Sequence, residues 1–285
     1  MTRGHHLPFL EWMITTTCDL ACPGCDRFID YDHNWTQDYN DLESSMKEWS
    51  TKLDPDHLTI IGGEPLIHPR IYDILKTSRR YFNHSVLEIY TNGLLLEKRQ
   101  DIVDVMLDLQ PAKISLTIHN QDPGVRKKIE NLVDTHIFNK LPWTQTDSLT
   151  FRYENLYFEI TNPTTLGGWY DYRKIVNGKV KPFEDNKKGD SYYNCTANIY
   201  PIIYKNELYK CPPISMLKTH LTKYDQLDDN DWQDYLAYKP ITLSSPSIEL
   251  EEFINNIHYP HDICRMCPAN PEFKNQEEAI VKSKL

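Results

Sequence analysis

The chain has 285 residues and a formal net charge of −10. At about 150 residues per domain, that is one large domain or one domain with a smaller appendage, long enough to bury a sizeable core. The acidic balance argues against nucleic acid as a partner. No stretch approaches the ~18 apolar residues of a membrane span, and no apolar export signal opens the sequence. A cytoplasmic chain with reduced cysteines and no disulfide framework is therefore expected.

In chain order, the alternation in "LEWMITTT" (10–17) predicts a first strand, followed directly by "CDLACPGC" (18–25). Helical spacing follows over 38–52, 68–82, 96–109 and 123–138. Between these lie short β-rich runs: "HLTIIGG" (57–63), "SVLEIYTNG" (85–93) and "AKISLTIHN" (112–120). The basic groups Arg79-Arg80 and Arg126-Lys127-Lys128 fall in the helical segments and read as solvated faces. Strand–helix repetition of this kind predicts a parallel sheet with right-handed crossovers.

In the fourth strand Ile114, Leu116 and Ile118 point one way, while Ser115, Thr117 and His119 point the other. Leu87 and Ile89 stand against Glu88 and Tyr90 in the same manner. Half-polar strands suit a barrel open inside better than a sheet sealed on both faces. The fifth strand is either "LTFRY" (149–153) or "LYFEIT" (156–161), the two forming a hairpin if both are used. From about residue 164 the texture becomes irregular and aromatic. "ANIYPIIYKNELYKC" (197–211) then predicts a hairpin turning at "KNE". The expected division is 1–163 as the core, 164–194 as a linker at the substrate opening, and 195–285 as a small second module of hairpin plus helix.

Seven cysteines fall into a group of three, Cys18, Cys22 and Cys25, and a group of four, Cys195, Cys211, Cys264 and Cys267. Clustered thiols in such a chain point to metal. Three thiols leave one coordination position unfilled. By spacing alone this suits an iron–sulfur cluster with one open iron, or a zinc site completed by His33 or His57.

C-x3-C-x2-C after the first strand, with "GGEP" (62–65) after the second, resembles the radical S-adenosylmethionine (SAM) superfamily over about residues 8–160. The resemblance implies a partial (β/α)6 barrel and a [4Fe-4S] cluster held by Cys18, Cys22 and Cys25. The SAM amine and carboxylate would chelate the open iron, and reductive cleavage would yield a 5′-deoxyadenosyl radical. A flavodoxin or ferredoxin would serve as electron donor. Gly62 and Gly63 would let the backbone approach the cofactor ammonium. Glu64 would add a charge-assisted contact and Pro65 would end the strand. Asn92, Ser115 and Thr117 match positions that contact ribose and methionine in the family, and Arg152 would pair with the carboxylate if the fifth strand begins near 149, or is otherwise a surface arginine. Relatives often carry an aromatic residue immediately before the third cysteine. Gly24 stands there instead, and Phe28 is the expected substitute at the adenine.

The four later cysteines, taken chemically, suit either a four-thiolate zinc site or a second cluster. Their pattern resembles the Twitch domain, a half-length SPASM domain, which implies an auxiliary [4Fe-4S] cluster. Asn206 stands where relatives have a hairpin glycine, and it tolerates positive φ. With every cysteine used as a ligand, none remains to return a hydrogen atom to a substrate radical. The expected outcome is a two-electron oxidation of a small sugar- or cyclitol-like alcohol. Maturation of a precursor peptide is the alternative enzyme reading, and a non-catalytic iron–sulfur or zinc protein is the reading from another class. Trp169, Tyr170 and Asp171 read first as a packed linker, with contact to a sugar or peptide substrate as the alternative; His119 and Glu159 would accept a proton if they line the lumen, and are structural polar residues otherwise.

Overall fold

The structure is a computed structural model and describes residues 4–119, 122–161, 170–185, 187–273 and 281–284. Its strands, in chain order, are β1 (His5–Thr15), β2 (Leu20–Ala21), β3 (Leu53–Gly62), β4 (Val86–Thr91) and β5 (Ala112–Thr117). They continue with β6 (Thr144–Gln145), β7 (Thr150–Tyr153), β8 (Leu156–Thr161), β9 (Lys174–Val176) and β10 (Lys179–Lys181). The last three are β11 (Ile202–Tyr204), β12 (Glu207–Tyr209) and β13 (Lys282–Ser283). The helices are α1 (Tyr39–Trp49), α2 (Ile71–Tyr81), α3 (Ile102–Asp108) and α4 (Pro123–Val133), followed by α5 (Lys188–Tyr193), α6 (Pro212–Lys223), α7 (Gln233–Leu236) and α8 (Ser247–Asn256). Among the described residues no helix is long and apolar enough to cross a membrane.

One nine-stranded sheet in the order β12-β11-β1-β3-β4-β5-β8-β7-β6 organises the chain. From β11 through β8 neighbouring strands run parallel. The sheet is open, with β12 at one edge and β6 at the other. This is a mixed α/β architecture with a largely parallel central sheet, in agreement with the expected partial barrel.

β1 and β3 begin well before the predicted strands, because His5 to Phe9 pair with Leu53 to His57. Pro55 lies where β4 has not yet begun, a place where a sheet tolerates a proline. The region 96–109 is not one helix but a 3-10 turn, Leu96–Lys98, followed by α3. Both candidates for the fifth strand are strands. β8 runs parallel to β5, and β7 turns back antiparallel on its outer side.

The face parity read from the sequence holds. Leu87, Ile89, Ile114 and Leu116 are buried with Leu42, Met46 and Trp49 of α1 and Ile71, Ile74 and Leu75 of α2. Each such side chain contributes roughly 1.5–3 kcal/mol of burial. The opposite face carries a row of partners in register, Glu11, Thr59, Glu88 and Lys113. Residues paired in register share a face, so this concave side is polar. There Glu88 accepts hydrogen bonds from Thr59 Oγ1 (3.0 Å) and Ser115 Oγ (2.6 Å).

The hairpin expected in the second module extends the main sheet, with Glu11 opposite Ile202 and Trp12 opposite Ile203. Its turn is Lys205-Asn206, with φ of 50° and 66°. That is the two-residue geometry that favours asparagine. The sheet therefore crosses the expected boundaries at 163 and 195.

Candidate active site

At the carboxyl ends of the parallel strands lies a cavity of about 350 Å³. Cys18, Cys22 and Cys25 reach it from the loop after β1, and Gly62, Gly63 and Glu64 from the end of β3. Asn92 follows β4, while Thr117 and His119 end β5. The two glycines are required by close approach. An added Cβ at Gly62 would stand 2.5 Å from Thr15 O, and one at Gly63 would stand 2.3 Å from Thr17 O.

Glu64 is buried and fully engaged. Its Oε1 accepts from Leu66 N (3.0 Å) and Thr91 Oγ1 (3.0 Å), and its Oε2 accepts from Asn92 N (2.8 Å). Burial nevertheless pushes its carboxyl up to about 8, with Asp19 adding repulsion. Asn92 Nδ2 donates to Asp19 Oδ1 at 2.6 Å and lies 3.9 Å from Cys18 Sγ. Leu20 N points at the same sulfur, 3.4 Å away.

The three thiols share one cavity, with the Arg27 guanidinium favouring the thiolate at Cys25. Burial raises Cys18 and Cys22 far above an ordinary thiol and pushes Cys25 up to about 11, and mutual repulsion adds to the first two. A bound metal reverses that balance, since its charge favours the thiolate. The three-sulfur donor set thus fits a metal centre with one position left open.

Several expected residues lie elsewhere. Arg152 is exposed on β7, its Nε on Glu154 O at 2.6 Å, on the outer hairpin rather than at the cavity. Glu159 is held by Lys113 Nζ at 2.5 Å. Ser115 is committed to Glu88. Neither Ser115 nor Glu159 lines the cavity, and Pro65 is buried in the turn beyond it. Phe28 is turned away, buried under the Arg173 guanidinium (4.4 Å) and beside His220 (5.1 Å). Trp169 lies outside the described residues. Of the residues expected to be catalytic, His119 reaches the cavity. Its burial lowers the imidazole to about 4.

Other lining residues went unrecognised in the sequence: Glu11, Asp26, Arg27, Tyr90, Tyr172 and Tyr200. Arg27 Nη2 donates to Glu11 Oε2 (2.6 Å), and its Nη1 donates to Asp26 Oδ1 (2.7 Å). Burial outweighs Arg27 and pushes the Glu11 carboxyl up to about 7. The available signal was Glu11 itself, a lone acid inside the apolar run "FLEWMI".

The segment Tyr170–Arg173 closes the site from outside. An added Cβ at Gly24 (φ 73°) would stand 2.5 Å from Tyr170 O. Glycine at that position therefore admits the linker backbone. Arg173 Nη2 bonds both oxygens of Asp30 (3.0 and 2.9 Å), and its Nη1 donates to Cys25 O (3.2 Å).

The four later cysteines line a second, smaller cavity together with Tyr192 and Lys210. Cys195 follows α5, Cys211 caps α6, and Cys264 and Cys267 belong to a 3-10 turn and its end. Ala197 N lies 3.3 Å from Cys195 Sγ. All four thiols are raised by burial, and the buried Lys210 ammonium opposes that for Cys211 and Cys264. Four thiols, one buried and three half-buried, beside one cation fit a metal centre by their chemistry. The thiols stand around a space: among the described residues, no three His, Cys, Asp or Glu side chains lie at the spacing of ligands to a single ion.

Comparison with known proteins bears on the first cavity. The profile of the Radical SAM superfamily matches residues 12–135. A probable GTP 3′,8-cyclase from Methanococcus aeolicus is 30% identical over 131 residues, 45% of this chain and 42% of that protein. The chain thus matches less than half the length of this curated relative. Among solved structures, BtrN in complex with AdoMet and 2-DOIA is similar at 14% identity and a TM-score of 0.49, over 96% of this chain and 98% of that one. SuiB from Streptococcus suis is similar at 16% identity and a TM-score of 0.41, over 82% and 68%. Matched by that profile, and bearing three cysteines that meet the glycine loop in one cavity, residues 12–135 are a radical SAM domain.

Proposed function

We propose that this radical SAM protein is an oxidoreductase that removes two electrons from a small sugar- or cyclitol-like alcohol. The observation that carries the reading is the pair of cysteine-lined cavities in one chain, the larger of which also collects the glycine loop, Asn92 and Thr117. Cys18, Cys22 and Cys25 would hold a [4Fe-4S] cluster, and Gly62, Gly63, Glu64, Asn92 and Thr117 would hold SAM. Bound there, the two supply a 5′-deoxyadenosyl radical able to take a hydrogen atom from carbon.

The protein's own contribution is to place the substrate and dispose of what remains. Tyr90, Thr117, Tyr200 and Glu11 offer hydroxyl and carboxylate partners suited to a polyol. Glu11 accepts the hydroxyl proton. Its affinity for protons lies near neutrality, where a base both takes and holds one, whereas the His119 imidazole is held at about 4. Cys195, Cys211, Cys264 and Cys267 would hold a second cluster, which would supply a one-electron acceptor beside the reaction cavity.

The test uses anaerobically reconstituted protein with SAM, a chemical reductant and a panel of cyclitols. About eight irons per chain and a carbonyl product matched by 5′-deoxyadenosine are expected. Cys264→Ala with Cys267→Ala should spare 5′-deoxyadenosine and abolish the oxidised product, with circular dichroism confirming the fold. Stoichiometric zinc in place of iron at the four cysteines would sink the reading.

A further inference from the structure

Lys210 brings an ammonium into the second site with no carboxylate to meet it. The residue is 4% exposed and stands directly before Cys211. Its Nζ donates to Ile257 O, just past α8, and lies 5.2 Å from the centre of the Tyr192 ring. Its backbone N donates to the Tyr238 hydroxyl at 3.0 Å, which fixes the chain where the hairpin hands over to α6. Among the described residues Lys210 forms no ion pair. One carbonyl and one aromatic face do not balance a full charge taken out of water. Lys210 lines the smaller cavity with Cys195, Cys211, Cys264 and Cys267, and of the side chains there the thiols give up a proton most readily. That cavity shares its wall with the larger one. Cys211 and Pro213 line the smaller while Pro212 between them lines the larger, and Cys195 is followed by Thr196 and Ala197 in the larger.

We propose that Lys210 is a positioning residue for the second site: its ammonium is the fixed counter-charge of a thiolate-held iron–sulfur centre and raises that centre's reduction potential. The inference rests on reading the site as the one-electron acceptor. Reduction adds a negative charge to a centre whose four thiolates already outweigh its metal core. A cation held in low dielectric favours the more negative state, and does so more strongly than one in water. Ile257 O and the Tyr192 face hold the ammonium at the cavity wall, away from solvent. At Pro212 the wall between the two cavities is one residue thick, so the acceptor that Lys210 tunes adjoins the space for substrate.

Lys210→Met keeps the bulk of the side chain and removes the charge. Lys210→Gln removes the charge and keeps a donor for Ile257 O, while Lys210→Arg keeps both. In iron-loaded full-length protein, a redox titration followed by electron paramagnetic resonance should show the second centre roughly tenfold harder to reduce in both neutral variants. For one electron that is a fall of about 59 mV. Lys210→Arg should stay at the parent value. A Cys18→Ala, Cys22→Ala, Cys25→Ala background assigns the signal. Lys188→Met removes an exposed cation already paired with Asp262 at 2.7 Å, and should leave the potential in place. An unmoved potential in the neutral variants, or an equal fall in Lys210→Arg or Lys188→Met, overturns the proposal. If the neutral variants shed iron, retention against a chelator is the readout. Iron kept by Lys210→Arg and lost from both neutral variants supports the counter-charge, and equal loss from all three overturns it. Metal analysis of the same samples separates the two failures: zinc sinks the electron-acceptor reading itself, whereas iron with an insensitive potential sinks only the role of Lys210.

Discussion

Arg27 Nη2 stands 2.6 Å from Glu11 Oε2, tying the cysteine loop to the middle of β1 across the cavity wall. Even so, burial holds the Glu11 carboxyl at about 7, above its ordinary 4.5, with Asp26 and Glu88 adding repulsion. A group raised on folding contributes stability that is fully present below its unfolded pKa and lost as pH rises through its folded one. For Glu11 that window runs from about 4.5 to about 7, and the contribution is of order 3 kcal/mol at 1.36 kcal/mol per pKa unit. Glu11→Gln removes it. Thermal melts from pH 5 to 8 should show the variant gaining on the parent as pH rises, and a constant gap would contradict the raised value.

Arg173 joins the linker to the cysteine loop through Asp30, Cys25 O and the faces of Phe28 and Tyr31. Removing one partner of a buried pair leaves the other charge uncompensated, at about 3–5 kcal/mol. Arg173→Ala should lower the urea midpoint and speed iron loss to a chelator from the first site. Arg173→Lys should recover little, since an ammonium cannot reproduce the fork. Unchanged iron release would show that the linker does not brace the loop.

Gly24 has a positive φ and no room for a methyl group. Gly24→Ala should cost about 1–3 kcal/mol in strain and push the Tyr170 backbone outward. The readout is faster proteolytic cleavage near residue 170. A cleavage pattern identical to the parent's would show that the linker adapts.

Glu64 supplies three hydrogen bonds that hold the ends of β3 and β4 together. Alanine would orphan buried donors and confound any binding measurement, so glutamine is the informative change. Glu64→Gln should weaken SAM binding roughly tenfold by anaerobic calorimetry above pH 8, where the carboxylate is ionised, the scale of one lost charge-assisted hydrogen bond, with iron content retained. Equal affinity would leave Glu64 a purely structural brace.

The strand–helix repeat, the polar face of the fourth strand and the gathering of three cysteines with the glycine loop were legible because each is set by local spacing. Arg152 was misplaced because "LTFRY" and "LYFEIT" have equal claim to be strands. Only pairing with β5 selects the second as the parallel neighbour. The docking of Tyr170 and Arg173 had no local signal, since their partners Gly24 and Asp30 lie far upstream in sequence. Gly24 was read as a missing aromatic contact. It is the space into which another part of the chain fits.

β2, the short strand between Cys18 and Cys22, finds its partner in β13, with Leu20 opposite Ser283 and Ala21 opposite Lys282. Lys284 then reaches Asp32 Oδ1 (2.6 Å) and Ile29 O (3.1 Å) beyond the same loop. The cysteine loop is thus braced by a segment far along the sequence from it. Since β2 and β13 form a sheet of their own, unzipping that pair would release the cysteine loop on one side while leaving the nine-stranded sheet intact.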